Sequence, residues 1–160
     1  NAQVPFDIPP GPAVLQVKRG EEFSGRLNLQ VVPAAPGLFT LTQDGRGAAV
    51  AVDGVTNRLI DSANPTAAGR YVVLYATGLG QLRDAVASGE AFPTANEATL
   101  RPTVLVGERE APVLYAGAAP GYIGLYQINI QVPDGVPTGN PTLRLVQGNQ
   151  QSNPATLAVR

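Results

Sequence analysis

The sequence has no cysteine, no histidine, no methionine and no tryptophan. Without cysteine there is no disulfide and no thiolate metal site. Without histidine, the commonest general base and the commonest neutral metal ligand are both missing. The lack of cysteine and methionine leaves little sulfur to oxidise, which suits a chain exposed outside a cell, although missing cysteine alone suits the cytosol equally well. Charge is scarce too: 14% of the 160 residues are charged, and the formal net charge is −1. Such a chain carries no field for holding nucleic acid or an anionic membrane surface. No apolar run nears the ~20 residues that span a bilayer as a helix. No signal peptide is visible, and the chain starts at Asn1 rather than Met, as expected of a processed product or a fragment.

Catalytic constellations are equally thin. A serine nucleophile needs a base, and the four serines have no histidine and a single lysine, Lys18. The acids sit mostly beside glycine, in Asp44-Gly45, Asp53-Gly54 and Asp134-Gly135. That is turn chemistry rather than a pair of catalytic carboxylates. Asp44, Asp53 and Asp61 would hold calcium only by converging across a loop, because no EF-hand spacing is present. Gly45-Arg46-Gly47 and Gly78-Leu79-Gly80 lack the lysine and following helix of a phosphate loop. Asn64 and Asn140 are each followed by proline, so no glycosylation sequon exists. The expectation is a non-enzyme without cofactor or metal.

What is abundant is punctuation. Eighteen glycines and fifteen prolines divide the chain into short runs rich in Val, Leu, Ile, Thr and Tyr. This is the grammar of an all-β sandwich. Strands are predicted over Val14–Val17, Leu27–Val32, Tyr71–Ala76, Thr103–Val106, Pro112–Ala116, Leu125–Val132, Thr142–Val146 and Thr156–Val159, with a charged turn at Glu108-Arg109-Glu110. Gln81–Ser88 is the one candidate for a short helix, with irregular loop as the alternative.

An internal repeat adds organisation. Residues 129–160 fall on 1–32 without a gap. Eleven positions are identical: Asn1, Gln3, Val4, Pro5, Pro9, Gly11, Leu15, Gly20, Ser24, Leu29 and Val31 match Asn129, Gln131, Val132, Pro133, Pro137, Gly139, Leu143, Gly148, Ser152, Leu157 and Val159. The matches cover both turns and strand alternation, so the same three strands are expected twice. Residues 33–160 would form a complete immunoglobulin-like sandwich. Residues 1–32 would be a three-stranded half-sandwich, the back of another sandwich. A small sheet with one apolar face cannot bury that face alone, and its edges are templates for another chain.

Several segments carry a family resemblance. They are Pro36-Gly37-Leu38-Phe39-Thr40, Tyr75-Ala76-Thr77-Gly78-Leu79-Gly80, Val113 to Gly121, Gly124 to Pro133, and Ser152-Asn153. In this order, over residues 33–160, the chain resembles the C-terminal domain family described from Solibacter-type Acidobacteria. The resemblance implies secreted proteins carrying such modules at the C-terminus or in tandem. It also implies an immunoglobulin-like sandwich related to the transcription-factor-type modules of surface proteins. It implies no activity and no catalytic residues.

Two functional expectations follow. In the first, the chain is a structural subunit of an extracellular filament or surface assembly, polymerising with copies of itself as a neighbour's strands complete residues 1–32. The interface would use Val4, Phe6, Ile8, Val14, Leu15, Val17, Phe23, Leu27, Leu29 and Val31. Val14 and Leu15 cannot both face the same side. Phe23 stands where the second copy has Gln151, and either makes a contact special to the first copy or caps its own hairpin. In the second, the chain is an adhesion module of a larger secreted protein, gripping glycan or cell wall through Tyr122 and Phe92.

Overall fold

The computed structural model describes residues 2–160, so the Asn1–Asn129 match lies outside it. Its strands are β1 (Gly11–Leu15), β2 (Lys18–Arg19), β3 (Glu22–Phe23), β4 (Leu27–Val31), β5 (Gly37–Leu38), β6 (Ala51–Asp53) and β7 (Tyr71–Thr77). Then come β8 (Thr103–Val106), β9 (Arg109–Ala111), β10 (Val113–Ala118), β11 (Tyr126–Gln131), β12 (Thr142–Gln147), β13 (Gln150–Gln151) and β14 (Ala155–Thr156). Among the described residues there is no helix, and hence none long and apolar enough to cross a membrane.

Period-two alternation builds two antiparallel sheets. Val72, Leu74 and Ala76 of β7 and Tyr126, Ile128 and Ile130 of β11 turn inward. β7 and β11 pair directly, Ile128 opposite Leu74, in a five-stranded sheet ordered β10-β11-β7-β5 with β6 also on β7. The second five-stranded sheet runs β13-β12-β8-β9, with β14 also on β12. Its inward residues Val104, Val106, Leu143 and Leu145 join the first sheet's in one buried cluster. The fold is an all-β sandwich.

Several local expectations change, and of Thr156–Val159 only Thr156 lies in a strand, β14. Gln81–Ser88 is not helical, because its backbone finds partners across space: Arg83 N donates to the Glu97 carbonyl at 2.9 Å and Asp84 N to Asn96 Oδ1 at 3.1 Å. The charged segment is a turn only at its start, and Arg109–Ala111 pairs with β8 as β9. The N-terminal stretch is not three-stranded. It is a two-stranded ribbon, β1 with β4, extended at its tip by β2 with β3. A third strand is missing because residues 3–8 are used elsewhere. Gly89 N donates to Gln3 Oε1 at 2.7 Å, Phe6 N donates to Ser88 Oγ at 2.9 Å, and Gln81 Nε2 donates to the Phe6 carbonyl. The Phe6 ring sits 6.4 Å from that of Phe92.

The Gly78-Leu79-Gly80 motif has a structural purpose. Both glycines have positive φ, +74° and +78°. A Cβ on Gly78 would lie 2.0 Å from the Ala35 carbonyl, and one on Gly80 would lie 2.2 Å from the Pro33 carbonyl. Only glycine lets Pro33–Ala35 approach so closely. The hairpin is therefore gripped at both feet, by Phe6 on one side and by Pro33–Ala35 on the other.

Phe92 is fully buried and touches the ring of Tyr126 at 6.1 Å. Phe92→Ala is expected to cost about 3–5 kcal/mol of stability, whereas Tyr122→Ala, at an exposed loop, changes stability by under about 0.5 kcal/mol. Urea unfolding of both variants checks this contrast. Burial also pushes the Tyr126 hydroxyl up to about 12, while it donates to the Gly80 carbonyl at 2.6 Å. The unfolded chain ionises this group near pH 10 and the folded chain resists, so stability is full below pH 10 and falls as pH rises toward 12. Tyr126→Phe should flatten part of that alkaline decline, read as melting temperature against pH.

Candidate functional site

The site that stands out is the N-terminal hairpin, and it is best understood through its twin. Adding 128 to each residue number turns one hairpin into the other. Val14 pairs with Asn28 and Leu15 with Leu27; Thr142 pairs with Thr156 and Leu143 with Ala155. Lys18 faces Phe23 and Arg19 faces Glu22, while Val146 faces Gln151 and Gln147 faces Gln150. Gly11 opposes Val31 as Gly139 opposes Val159. The turns match too, with φ of +60° at Gly20 and +59° at Gly148.

One serine holds each bend in the same way. Leu145 N donates to Ser152 Oγ at 2.9 Å, and Ser152 Oγ donates to the Asn153 carbonyl at 2.8 Å. Val17 N donates to Ser24 Oγ at 2.9 Å, and Ser24 Oγ donates to the Gly25 carbonyl at 2.9 Å. Both serine amides donate back across the hairpin at 2.9 Å, to the Val17 and Leu145 carbonyls respectively.

The twins differ in what surrounds them. The C-terminal hairpin is walled in on three sides. β8 pairs along Leu143–Val146. The other arm runs beside Ala48 and Thr66, with Ala49 N on the Thr156 carbonyl and Thr66 N on the Ala158 carbonyl, both at 2.9 Å. Asn153 latches the bend: its Oδ1 accepts from Leu38 N at 2.8 Å and its Nδ2 donates to the Gly45 carbonyl at 2.8 Å. The N-terminal hairpin has none of these walls. Among the described residues β1 and β4 pair only with each other, and every residue from 14 to 30 is exposed.

The twin also settles which side is the face. Leu143, Leu145, Ala155 and Leu157 are all at most 1% exposed. Their counterparts Leu15, Val17, Leu27 and Leu29 are 38–59% exposed. Val31, half-buried, corresponds to buried Val159. Leu15, not Val14, therefore belongs to the core-type face, since Val14 corresponds to the partly exposed Thr142. Val4 and Ile8 are also exposed, with Val4 standing where the second copy buries Val132. Phe6 leaves the interface set: it is spent on Phe92 within its own chain. Phe23 is 62% exposed, with the Lys18 ammonium 5.5 Å from its ring across the hairpin tip.

The remaining candidates resolve locally. Phe92 cannot touch a glycan, because it is wholly buried. Tyr122 is 60% exposed beside exposed Ile123. Asp44, Asp53 and Asp61 do not converge. Each accepts hydrogen bonds within its own turn: Asp44 from Thr42 and Arg46, Asp53 from Val55 and Thr56, and Asp61 from Ala63 and Asn64. These bonds lower the carboxyl of Asp44 and of Asp61; at Asp53 the first cause is Arg70, 2.8 Å away. Among the described residues no group of three acids, histidines or cysteines could hold a metal.

The serine staple gives a direct comparison. Ser152→Ala leaves a buried Leu145 amide unpaired, at a cost of about 1–3 kcal/mol. Ser24→Ala leaves the Val17 amide to water and should change global stability by under about 0.5 kcal/mol. Equal effects in urea unfolding would show that the N-terminal hairpin is sealed after all. Compared with known proteins, the chain matches no family model, no curated protein and no solved structure.

Proposed function

We propose that this chain is a non-catalytic structural building block of an extracellular assembly, a filament or surface layer, joined by completion of its N-terminal hairpin. The single observation behind this reading is the pair of twins, one walled in and one bare. Strand addition from a neighbour would supply main-chain hydrogen bonds along the open edges of β1 and β4 and cover Leu15, Val17, Leu27 and Leu29. The neighbour is a sandwich of the same kind, carried by a copy of this chain or by another protein. Contacts that run head to tail without closing a ring give an open filament. Low charge and the absence of oxidisable sulfur support an exposed, durable location. An immunoglobulin-like topology and kinship with the Solibacter-type family are part of the same proposal, carried by the sequence segments that resemble that family. The alternative, an adhesion module for glycan or cell wall, keeps Tyr122 alone, since Phe92 is inaccessible.

Trypsin tests the reading, because Lys18, Arg19 and Arg26 all lie exposed on the hairpin. The purified chain should be nicked there within minutes. In material left assembled on its native cell surface the same bonds should resist. Equal cleavage rates in the two preparations would remove the proposal.

A further inference from the structure

The partner can be narrowed, given the reading that a neighbour completes the hairpin. A copy of this chain has one place shaped for such a hairpin, and its own residues 139–159 fill it. β8 is paired on both sides, by β12 and β9, so it offers no open edge. Seating one copy's N-terminal hairpin there would evict the C-terminal hairpin and expose an equivalent face. Nothing would be gained.

The hairpin is also a poor fit for this chain's own slot. Arg19 stands in the place of Gln147, which is buried with its side-chain amide on the Leu79 and Leu100 carbonyls. A guanidinium there would carry a charge out of water. Leu27 stands for Ala155, which is 1% exposed, so the larger side chain would have to displace packed neighbours. Gly25 stands for Asn153 and cannot make the latch to Leu38 and Gly45.

We infer that the cover is the front half of a second, non-identical sandwich of this kind that lacks a closing hairpin, and that residues 9–31 serve as that sandwich's last hairpin. The twin fixes the register. Leu15, Gln16, Val17 and Lys18 pair with residues in the places of Val106, Leu105, Val104 and Thr103. The partner carries a counter-charge or an opening beside Arg19, space for Leu27, and no need of an asparagine latch.

Two measurements test this, one on the chain itself and one on the chain extended by a front half. The first takes the 160-residue chain at tens of micromolar, with light scattering and hydrogen exchange over residues 13–31. The expected result is a monomer whose hairpin exchanges fast. A monomer with a protected hairpin overturns the neighbour reading itself. An oligomer with a protected hairpin keeps that reading and overturns the inference, because the partner is then a plain copy. The second places residues 33–128 ahead of the whole chain, supplying a front half without a hairpin. It is made with the natural hairpin and with Arg19→Gln, Gly25→Asn and Leu27→Ala together. Exchange over 13–31 should slow by about a hundredfold or more in the matched form, and by less with the natural hairpin. No slowing in either form overturns the inference. Equal slowing in both overturns the part that assigns a non-identical partner.

Discussion

An apolar face on a β-ribbon is buried only by a second layer, and this chain contains the same ribbon with and without one. In the C-terminal copy the second layer is β7 and β11, reached through β8 and the Asn153 latch. In the N-terminal copy five apolar side chains on one face have no such layer. Each is worth about 1.5–3 kcal/mol when buried, so together they amount to something on the order of 10 kcal/mol. That rivals the whole stability of a typical domain. It also matches the range of cost for bringing two molecules together. A completed hairpin is therefore energetically feasible, and a bare one is unstable only in the sense that it offers itself to a partner.

The bare hairpin still keeps its shape, for reasons that are local. Its ladder satisfies the inward backbone groups, Ser24 holds the bend, and Gly20 makes the tight turn. Lys18 clamps the tip through Phe23 and lies 3.9 Å from Glu21. Phe6 and Pro33–Ala35 anchor the chain to the sandwich on either side of it. Gln16, Lys18, Arg19, Glu22 and Gln30 keep the edges charged or polar, which discourages indiscriminate strand pairing.

Much of this was legible from residues alone, and the misses have physical causes. The offset of 128 was visible because turn glycines, the bend serine and the inward leucines all fell in step; the structure extends it to register and hydrogen bonds. The choice between Val14 and Leu15 was not legible within the hairpin, since both are apolar and adjacent. Only the partner Leu143 resolves it. Phe6 and Phe92 were misread for one reason: each lies in a Gly/Pro-rich stretch without periodicity, so nothing marked the long-range ring contact that buries one against the other. The Gln81–Ser88 segment shows the same limit, because the groups that satisfy its backbone, Glu97 and Asn96, are far away in sequence. The Gly78-Leu79-Gly80 motif was recognised as a motif, but its purpose depends on a carbonyl more than forty residues upstream.

Duplication of a hairpin creates a hazard as well as an opportunity. Two interchangeable hairpins in one chain would compete for one slot, and exchange between copies would scramble into swapped oligomers. The tethered C-terminal hairpin has the advantage of high effective concentration, but that alone only biases the competition. Divergence at the contact points does more. A charge at 19 in place of a buried amide, bulk at 27 in place of a methyl, and a missing latch at 25 each penalise the wrong pairing in this chain's own slot. None of them disturbs the hairpin's internal register, because Arg19, Gly25 and Leu27 make no side-chain hydrogen bond within it. The residues that shape the hairpin match between the copies, and the residues that would choose its partner differ. That division is what the proposed pairing with a non-identical neighbour requires.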